Sequence, residues 1–436
     1  MTLGFGRGKN GCCIVCFIGV SNILSTKPLI MGGQSLLYKG YFLTIYSPVK
    51  ISKNVIASAG NLCGSLDITV EELYSALNLH YKEKYSHSTT HKADGSIRNI
   101  YNPHYSIRKI QRRLNKRVFS NKNVIKWPDH LFGSIPNQLN AQEIIGKDYI
   151  SCAARHCQAN SLLKLDIKNF FDNIHEDTVK RIFMVFFKFP KSVSHILTKI
   201  CCHNGGLVQG ALTSSYLASL CLFESEGDLV KKLERKNLVY TRFVDDITIS
   251  TRATNYDFGY ALQLVKDMLI NNELPINENK TKVSYSSTES LTVHGLRISF
   301  KEPRLPSEEI RRIRAAVKNL ELLAIEGRYR HSHSYRHDYN RCMGRVNKLK
   351  RINHIKFESL LARLSRIDPL PSPRDRVRVK KIIERLIADN ISKKDTYWYW
   401  KRFNLAHQRL NILKKSYPYL AKRLRVKLKL IAPTYD

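Results

Sequence analysis

Residues 240–251, YTRFVDDITIST, are the stretch from which the rest of the chain takes its meaning. Two short β-branched runs flank a tight turn that carries Asp245 and Asp246. Neighbouring carboxylates at a hairpin tip repel each other unless positive charge sits between them. A divalent cation meets that need, and Mg2+ takes oxygen ligands from one or two carboxylates together with substrate phosphates. Asp is also an ordinary turn residue, so the dipeptide by itself reads as a solvated turn too. A further acid upstream changes the balance. Residues 162–167, LLKLDI, are a short apolar run holding Asp166. An Asp in a buried strand is costly unless it is paired or binds a metal, and an ion pair is the structural alternative. Side by side, the two strands bring Asp166, Asp245 and Asp246 to one edge, as two metal ions need for in-line phosphoryl transfer.

Residues 166–174 (DIKNFFDNI), 207–215 (LVQGALTSS) and 243–246 (FVDD) resemble three palm motifs of reverse transcriptases, in the family's order. They are most similar to those of the retron-type and defence-associated bacterial enzymes. Residues 98–103 (RNIYNP) and 110–115 (IQRRLN) resemble fingers motifs. Residues 276–282 (INENKTK) are similar to the Asn…Lys-Thr motif after the catalytic hairpin, and 293–296 (VHGL) to the primer-grip hairpin. The resemblance implies an α+β right-handed polymerase with fingers, a palm built on an antiparallel sheet, and a helical thumb. It implies Asp166, Asp245 and Asp246 as ligands of two Mg2+ ions, with Mn2+ as a substitute, Asp166 and Asp245 bridging the pair. It implies Arg98 as a clamp on the dNTP triphosphate, a bidentate task suited to a guanidinium. Phe171 would lie under the sugar, where a 2′-hydroxyl clashes, and Gln209 and Gly210 would support the nucleotide and the templating base. Lys280 would protonate the leaving pyrophosphate, which calls for a positioned cationic acid. Gly295 belongs to the grip on the primer end. Without the resemblance, Arg98 reads as an exposed strand arginine, Phe171 as a core residue and Lys280 as a surface lysine.

The chain departs from the retron pattern in several places. Ile144 stands where a histidine follows Asn140-Ala141, and Val293-His294-Gly295 replaces a Val-Thr-Gly triplet. Val208, Leu212 and Ser215 occupy positions where the palm loop commonly has proline. The expectation is a retron-type or defence-associated enzyme that is not a typical retron one.

The bulk of the chain agrees with a nucleic-acid partner. Its 436 residues leave room for two or three domains, and 43% of them are hydrophobic, enough for a sizeable core. A formal net charge of +36 points to polyanions. No apolar run approaches the length of a membrane span, so a membrane is excluded as partner and the cytoplasm is the expected location. Ten cysteines in a chain this long read as reduced thiols. Residues 12–20, CCIVCFIGV, faintly resemble a signal-peptide core, but read better as a packing segment. Cys13 and Cys16 lack the second pair that a zinc site needs.

Along the chain, helical spacing is expected over residues 68–80, then a polar loop over 81–97. Asp94-Gly95 is a hairpin turn that places Arg98 on the returning strand. A helix over 107–119 has Arg108, Arg112 and Lys116 on one face, a candidate contact for the template backbone or merely a solvated face. Residues 127–159 show little pattern. A helix over 175–187 packs through Val179, Ile182, Phe183 and Phe186. Beyond residue 304, which holds close to half of the 72 Lys and Arg residues, helices are expected over 310–325, 339–367, 377–388 and 397–430. Pro369, Pro371 and Pro373 mark a boundary. The expected division is an N-terminal extension (1–65), fingers (66–160), palm with part of the fingers (161–300), thumb (301–368) and a basic helical C-terminal extension (369–436). His331, His333 and His337 lie in an Arg-rich polar run that reads as an RNA-contacting loop. Residues 397–403, YWYWKRF, stack bases or fill a core.

The function implied is an RNA-directed DNA polymerase that copies a dedicated noncoding RNA, serving antiviral defence by association with its family. The alternatives are a group II intron-like maturase and a non-catalytic RNA-binding assembly protein. The implied partners are the noncoding RNA template, the RNA–DNA duplex and dNTPs. A second reverse transcriptase, another subunit of a defence system and a second copy of the chain are further candidates.

Overall fold

The computed structural model describes residues 45–91, 95, 97–140 and 143–435. The 12–20 segment with Cys13 and Cys16, and also Asp94 and Ala141, lie outside them. Two antiparallel strands, β1 (Tyr85–His91) and β2 (Ile97–Pro103), form a ribbon in which Thr90 pairs with Arg98. The polar run expected as a loop is thus largely strand. Its side chains are exposed on both faces, so pairing and not burial holds it, and no hydrophobic alternation announces it. Gly95 supplies φ +82 at the turn. Helix α1 (Tyr105–Leu114) follows and runs on as a π-helix to Phe119.

The central sheet has five strands: β3 (Leu131–Phe132), β4 (Ser161–Asp166), β5 (Val239–Phe243), β6 (Asp246–Thr251) and β7 (Lys282–Tyr285), in the order β7-β4-β6-β5-β3. β3 runs parallel to β5, and the other pairs are antiparallel. Alternate side chains of a strand leave opposite faces, and β4 shows it. Leu163 and Leu165 enter a core with Val179, Ile182, Phe183, Ile247 and Ile249. Leu162 enters a second core with Ala153, Val293, Ile313 and Val317. The sheet is therefore covered on both faces, which explains its nearly continuous apolar runs.

A short hairpin, β8 (Thr292–Val293) with β9 (Leu296–Arg297), closes this second core. Helix α2 (Glu226–Glu234) precedes β5. The thumb helices are α3 (Ser307–Ile325), α4 (His333–Arg351) and α5 (Phe357–Arg366). Where one helix was expected over 339–367 there are two, with Asn353 at φ +50 in the break. Helices α6 (Pro373–Lys393), α7 (Tyr397–Leu413) and α8 (Pro418–Leu430) build a third core around Val379, Ile383, Tyr399, Leu410 and Leu424. The expected single helix over 397–430 is split before Pro418, which sits in the first turn of α8. Pro373 likewise opens α6, behind a capping box of Ser372 and Asp375. Among the described residues no helix is long and apolar enough to cross a membrane.

Candidate active site

The β5–β6 hairpin turns through Val244 and Asp245, with Val244 at φ +61. Register sets Asp246 directly opposite Asp166 on β4, and the Ile167 amide donates to the Asp245 carbonyl at 3.1 Å. All three acids therefore stand at one end of the sheet. The loop after helix Gly259–Ile270 completes this end. The Asn277 amide donates to the Asp166 carbonyl at 2.8 Å, and its Nδ2 to Asp166 Oδ2 at 3.0 Å. Lys280 Nζ lies 3.1 Å from the same carboxylate.

The electrostatics follow from this crowding. Burial first, then Asp245 and Asp166, push the Asp246 carboxyl up to about 6. Burial and Asp166 likewise raise Asp245, opposed by Lys280 and Arg98. The hydrogen bond to Asp166 raises Lys280, whose ammonium is the main compensating charge at this edge. Among the described residues no three His, Cys, Asp or Glu side chains form a finished metal cage. The hard oxygen donors and their mutual repulsion nevertheless suit a divalent cation of the Mg2+ class.

His294 is a neighbour that residue patterns did not reveal. It occupies the β8–β9 turn at φ +49, before Gly295 at φ +77. Its ring lies 4.7 Å from Phe243 and its Nδ1 3.8 Å from Asp246 Oδ2. Burial and the Lys164 charge bring it down to about 4, so it is neutral at pH 7. The β8–β9 turn thus packs directly on the β5–β6 hairpin.

Arg98 is exposed on β2 and its charge reaches Asp245. Gln209 and Gly210 lie in a loop before the helix that begins at Ser214. The Tyr101 amide donates to the Gln209 carbonyl at 2.7 Å. A Cβ on Gly210, at φ +110, would stand 2.5 Å from the Tyr101 oxygen, so only glycine lets palm loop and β2 approach this closely. Phe171 is half-buried beside Phe170.

Arg108 and Arg112 were expected to offer α1 to nucleic acid. In the structure their guanidinium groups lie over C-terminal rings: Arg108 5.8 Å from Tyr397, and Arg112 5.6 Å from Trp400 and 4.8 Å from Tyr435. The YWYWKRF run is accordingly divided, with Tyr399 in the third core, Trp398 exposed, and Tyr397 and Trp400 facing α1. His331 is not in an open loop; its Nδ1 bonds to the Pro371 carbonyl at 3.0 Å. On the thumb, a groove of about 690 Å³ between α3 and α4 is lined by Arg312, Arg345, Lys348 and Asn319 over Ala315 and Ala316.

Comparison with known proteins agrees with this geometry. The family described as "Reverse transcriptase (RNA-dependent DNA polymerase)" matches residues 90–312. The chain is similar to "Retron Ec48 reverse transcriptase" of Escherichia coli, at 42% identity over 386 residues, 88% of this chain and 94% of that protein. It is also similar to "Retron Se72 reverse transcriptase" of Salmonella heidelberg (strain 579083-10), at 33% identity over 72% of this chain and 80% of the relative. Among solved structures, apo telomerase from Candida Tropicalis overlays with a TM-score of 0.40 at 12% identity, covering 81% of this chain and 70% of its own. The departures at Ile144 and His294 leave the chain among retron relatives.

Proposed function

The chain belongs to the reverse transcriptase family, and from that membership we propose that it copies a dedicated noncoding RNA into DNA at the Asp166, Asp245 and Asp246 edge. As a member of that family it is an RNA-directed DNA polymerase. The observation that carries the proposed site is the register pairing Asp246 with Asp166, with Asp245 bonded through its carbonyl to Ile167. The three carboxylates would hold two Mg2+ ions, with Mn2+ as a substitute. Bound there, the ions would activate the primer 3′-oxygen and stabilise charge on the departing pyrophosphate.

The remaining work falls to the chain's own groups. Asn277 fixes the Asp166 carboxylate by its side-chain amide. Lys280, exposed and 3.1 Å from Asp166, is the cation released toward the triphosphate and the acid for the leaving oxygen. Arg98 grips the triphosphate from β2, Gln209 and Gly210 floor the nucleotide, and Phe171 excludes the 2′-hydroxyl. Gly295 and its turn hold the primer end against Phe243 through His294. The basic groove between α3 and α4 fits a phosphate backbone.

The noncoding template is inferred from relatives whose names are those of retron enzymes. Antiviral defence, a cytoplasmic location and a partner polymerase or other defence subunit follow from the same kinship. The test is dNTP incorporation by the purified protein with its bound RNA, beside an Asp245→Ala/Asp246→Ala control. Mg2+-dependent DNA synthesis that the control lacks supports the reading. RNA that copurifies without any synthesis would replace it with an RNA-binding role.

A further inference from the structure

The turn presenting Asp245 and Asp246 is held in a conformation its own sequence resists. Val244 is β-branched at φ +61, a left-handed geometry that costs an L-residue on the order of 1–2 kcal/mol. Surrounding contacts must therefore impose it. Two features meet at this residue.

The first is Arg242, 1% exposed. Its Nη1 donates to the Val244 carbonyl at 3.1 Å and to Ala218 O at 3.3 Å, and its Nη2 donates to Ser219 O at 3.0 Å. The other side of the fork meets Glu226 of α2, Nε to Oε1 at 2.6 Å and Nη2 to Oε2 at 2.8 Å. Glu226, 2% exposed, also accepts from the Tyr240 hydroxyl at 2.8 Å. Burial opposes its charge, yet Arg242 holds its carboxyl far below the usual range. The second feature is Gly133, just after β3. A Cβ there would stand 2.8 Å from Val244 Cγ2, and φ is +107. Its strand is fixed from both sides: the Arg242 amide donates to His130 O at 3.0 Å, and the Gly133 amide to Lys147 O at 2.8 Å. Lys147, 2% exposed, in turn donates to Pro128 O at 2.9 Å and Asp129 O at 3.1 Å.

We infer that Arg242, Glu226 and Gly133 are positioning residues for the catalytic turn. Arg242 holds Val244 by its carbonyl, Glu226 holds Arg242, and Gly133 leaves room for the Val244 side chain. Desolvating a buried ion pair offsets most of its attraction, so the pair is a poor source of stability. What it supplies is a rigid fork of directed hydrogen bonds, one of which ends on the residue before Asp245. The inference rests on the carboxylates being the metal site proposed above.

The test uses the full chain with its bound RNA and two variants in different elements. Arg242→Lys keeps the charge beside Glu226 but cannot span both Glu226 and Val244. Gly133→Ala pushes on Val244 and leaves the ion pair intact, so it carries the test if the lysine variant does not fold. Mn2+ binding is read by electron paramagnetic resonance, alongside kcat, KM for dNTP and melting temperature. The expected result is Mn2+ affinity weakened about tenfold and kcat lowered about 10- to 100-fold, with KM within about twofold. A folded variant with unchanged Mn2+ affinity and kcat, whatever its melting temperature, makes the pair merely structural and overturns the inference. If Asp245→Ala/Asp246→Ala leaves Mn2+ binding unchanged, the metal-site reading itself has failed, and the positioning role with it.

Discussion

The β5–β6 hairpin and the C-terminal helices are both secured by arginines, in opposite ways. Arg242 is wholly buried, spends its fork on Glu226 and three carbonyls, and leaves its turn no slack. The C-terminal unit is held at two joints of unequal character. At the thumb, Asp375 takes Arg336 of α4 at 2.9 Å and Arg409 of α7 at 2.8 Å, while Asp368 takes the Tyr339 hydroxyl and Lys415. At the fingers, Arg108 and Arg112 lie against three aromatic rings. Chemistry that demands sub-ångström placement is fixed by buried, directional bonds. The C-terminal helices are fastened by more exposed contacts, and the aromatic joint is expected to give way first.

Glu226→Gln should show the largest effect. It leaves the Arg242 charge buried without its partner, a change that costs roughly 3–5 kcal/mol. Denaturant unfolding of the palm should register that loss. Glu226→Gln/Arg242→Met, which removes both charges, should recover much of the stability and little of the DNA synthesis. Recovery of both together would mean that the hairpin needs packing there, not a guanidinium.

The same contrast explains what could be read in advance. That Asp166, Asp245 and Asp246 meet at one edge was legible because an acid in an apolar run demands a partner or a metal, and the place of Lys280 beside them because of INENKTK. Arg242 lay in the stretch read first and obeys the identical rule, a lone charge among residues that become buried. Its partner, sixteen residues earlier in an ordinary amphipathic helix, carries no signal of its own. Residues 127–159 gave no pattern because they work mostly through backbone: the short strand β3, Gly133, and the carbonyls that Lys147 caps. His156 belongs there too, bonding Ser250 and Thr241 at 2.7 Å beneath the hairpin. The basic face of α1 misled for another reason. Charge periodicity shows where arginines point, and the rings that meet them lie nearly 300 residues away in sequence.

Asp375→Asn should come next in size. It removes the charge shared by Arg336 and Arg409, and should cost the thumb joint roughly 2–3 kcal/mol. Protease cutting near residues 367–372 should rise while the palm stays folded. Acid should do the same by titration. Burial opposes the Asp375 charge, but hydrogen bonds from Arg336 and Ser372 bring its carboxyl from 3.8 down to about 2. Because the folded value is the lower one, this stabilisation is complete above about 4 and is lost as pH falls toward 2. Glu226 is held lower still, so the joint at α6 should loosen before the hairpin does. Hydrogen exchange stepped through that range would show α6 and α7 opening first; simultaneous loss of β5 and β6 protection would contradict the ranking.

The smallest effect is expected at the fingers joint, and it separates the two joints most cleanly. Each arginine–ring contact contributes about 0.5–1 kcal/mol where water reaches it, and Tyr397 and Trp400 are only half-buried, so Tyr397→Ala/Trp400→Ala should cost about 1–2 kcal/mol locally. Neither ring contributes a hydrogen bond to the thumb joint, and the third core retains Tyr399 and its leucines. The melting temperature should therefore hardly move. What should change is α1: with Arg108 and Arg112 each losing a ring, its amides should exchange roughly five- to thirtyfold faster, the factor corresponding to that free energy. Both guanidinium groups then become more accessible to a phosphate backbone, so affinity for an added RNA strand should rise and its salt dependence steepen. If exchange in α1 stays unchanged, the rings lie on α1 without fastening it, and the C-terminal unit is secured by the Asp368 and Asp375 joint alone.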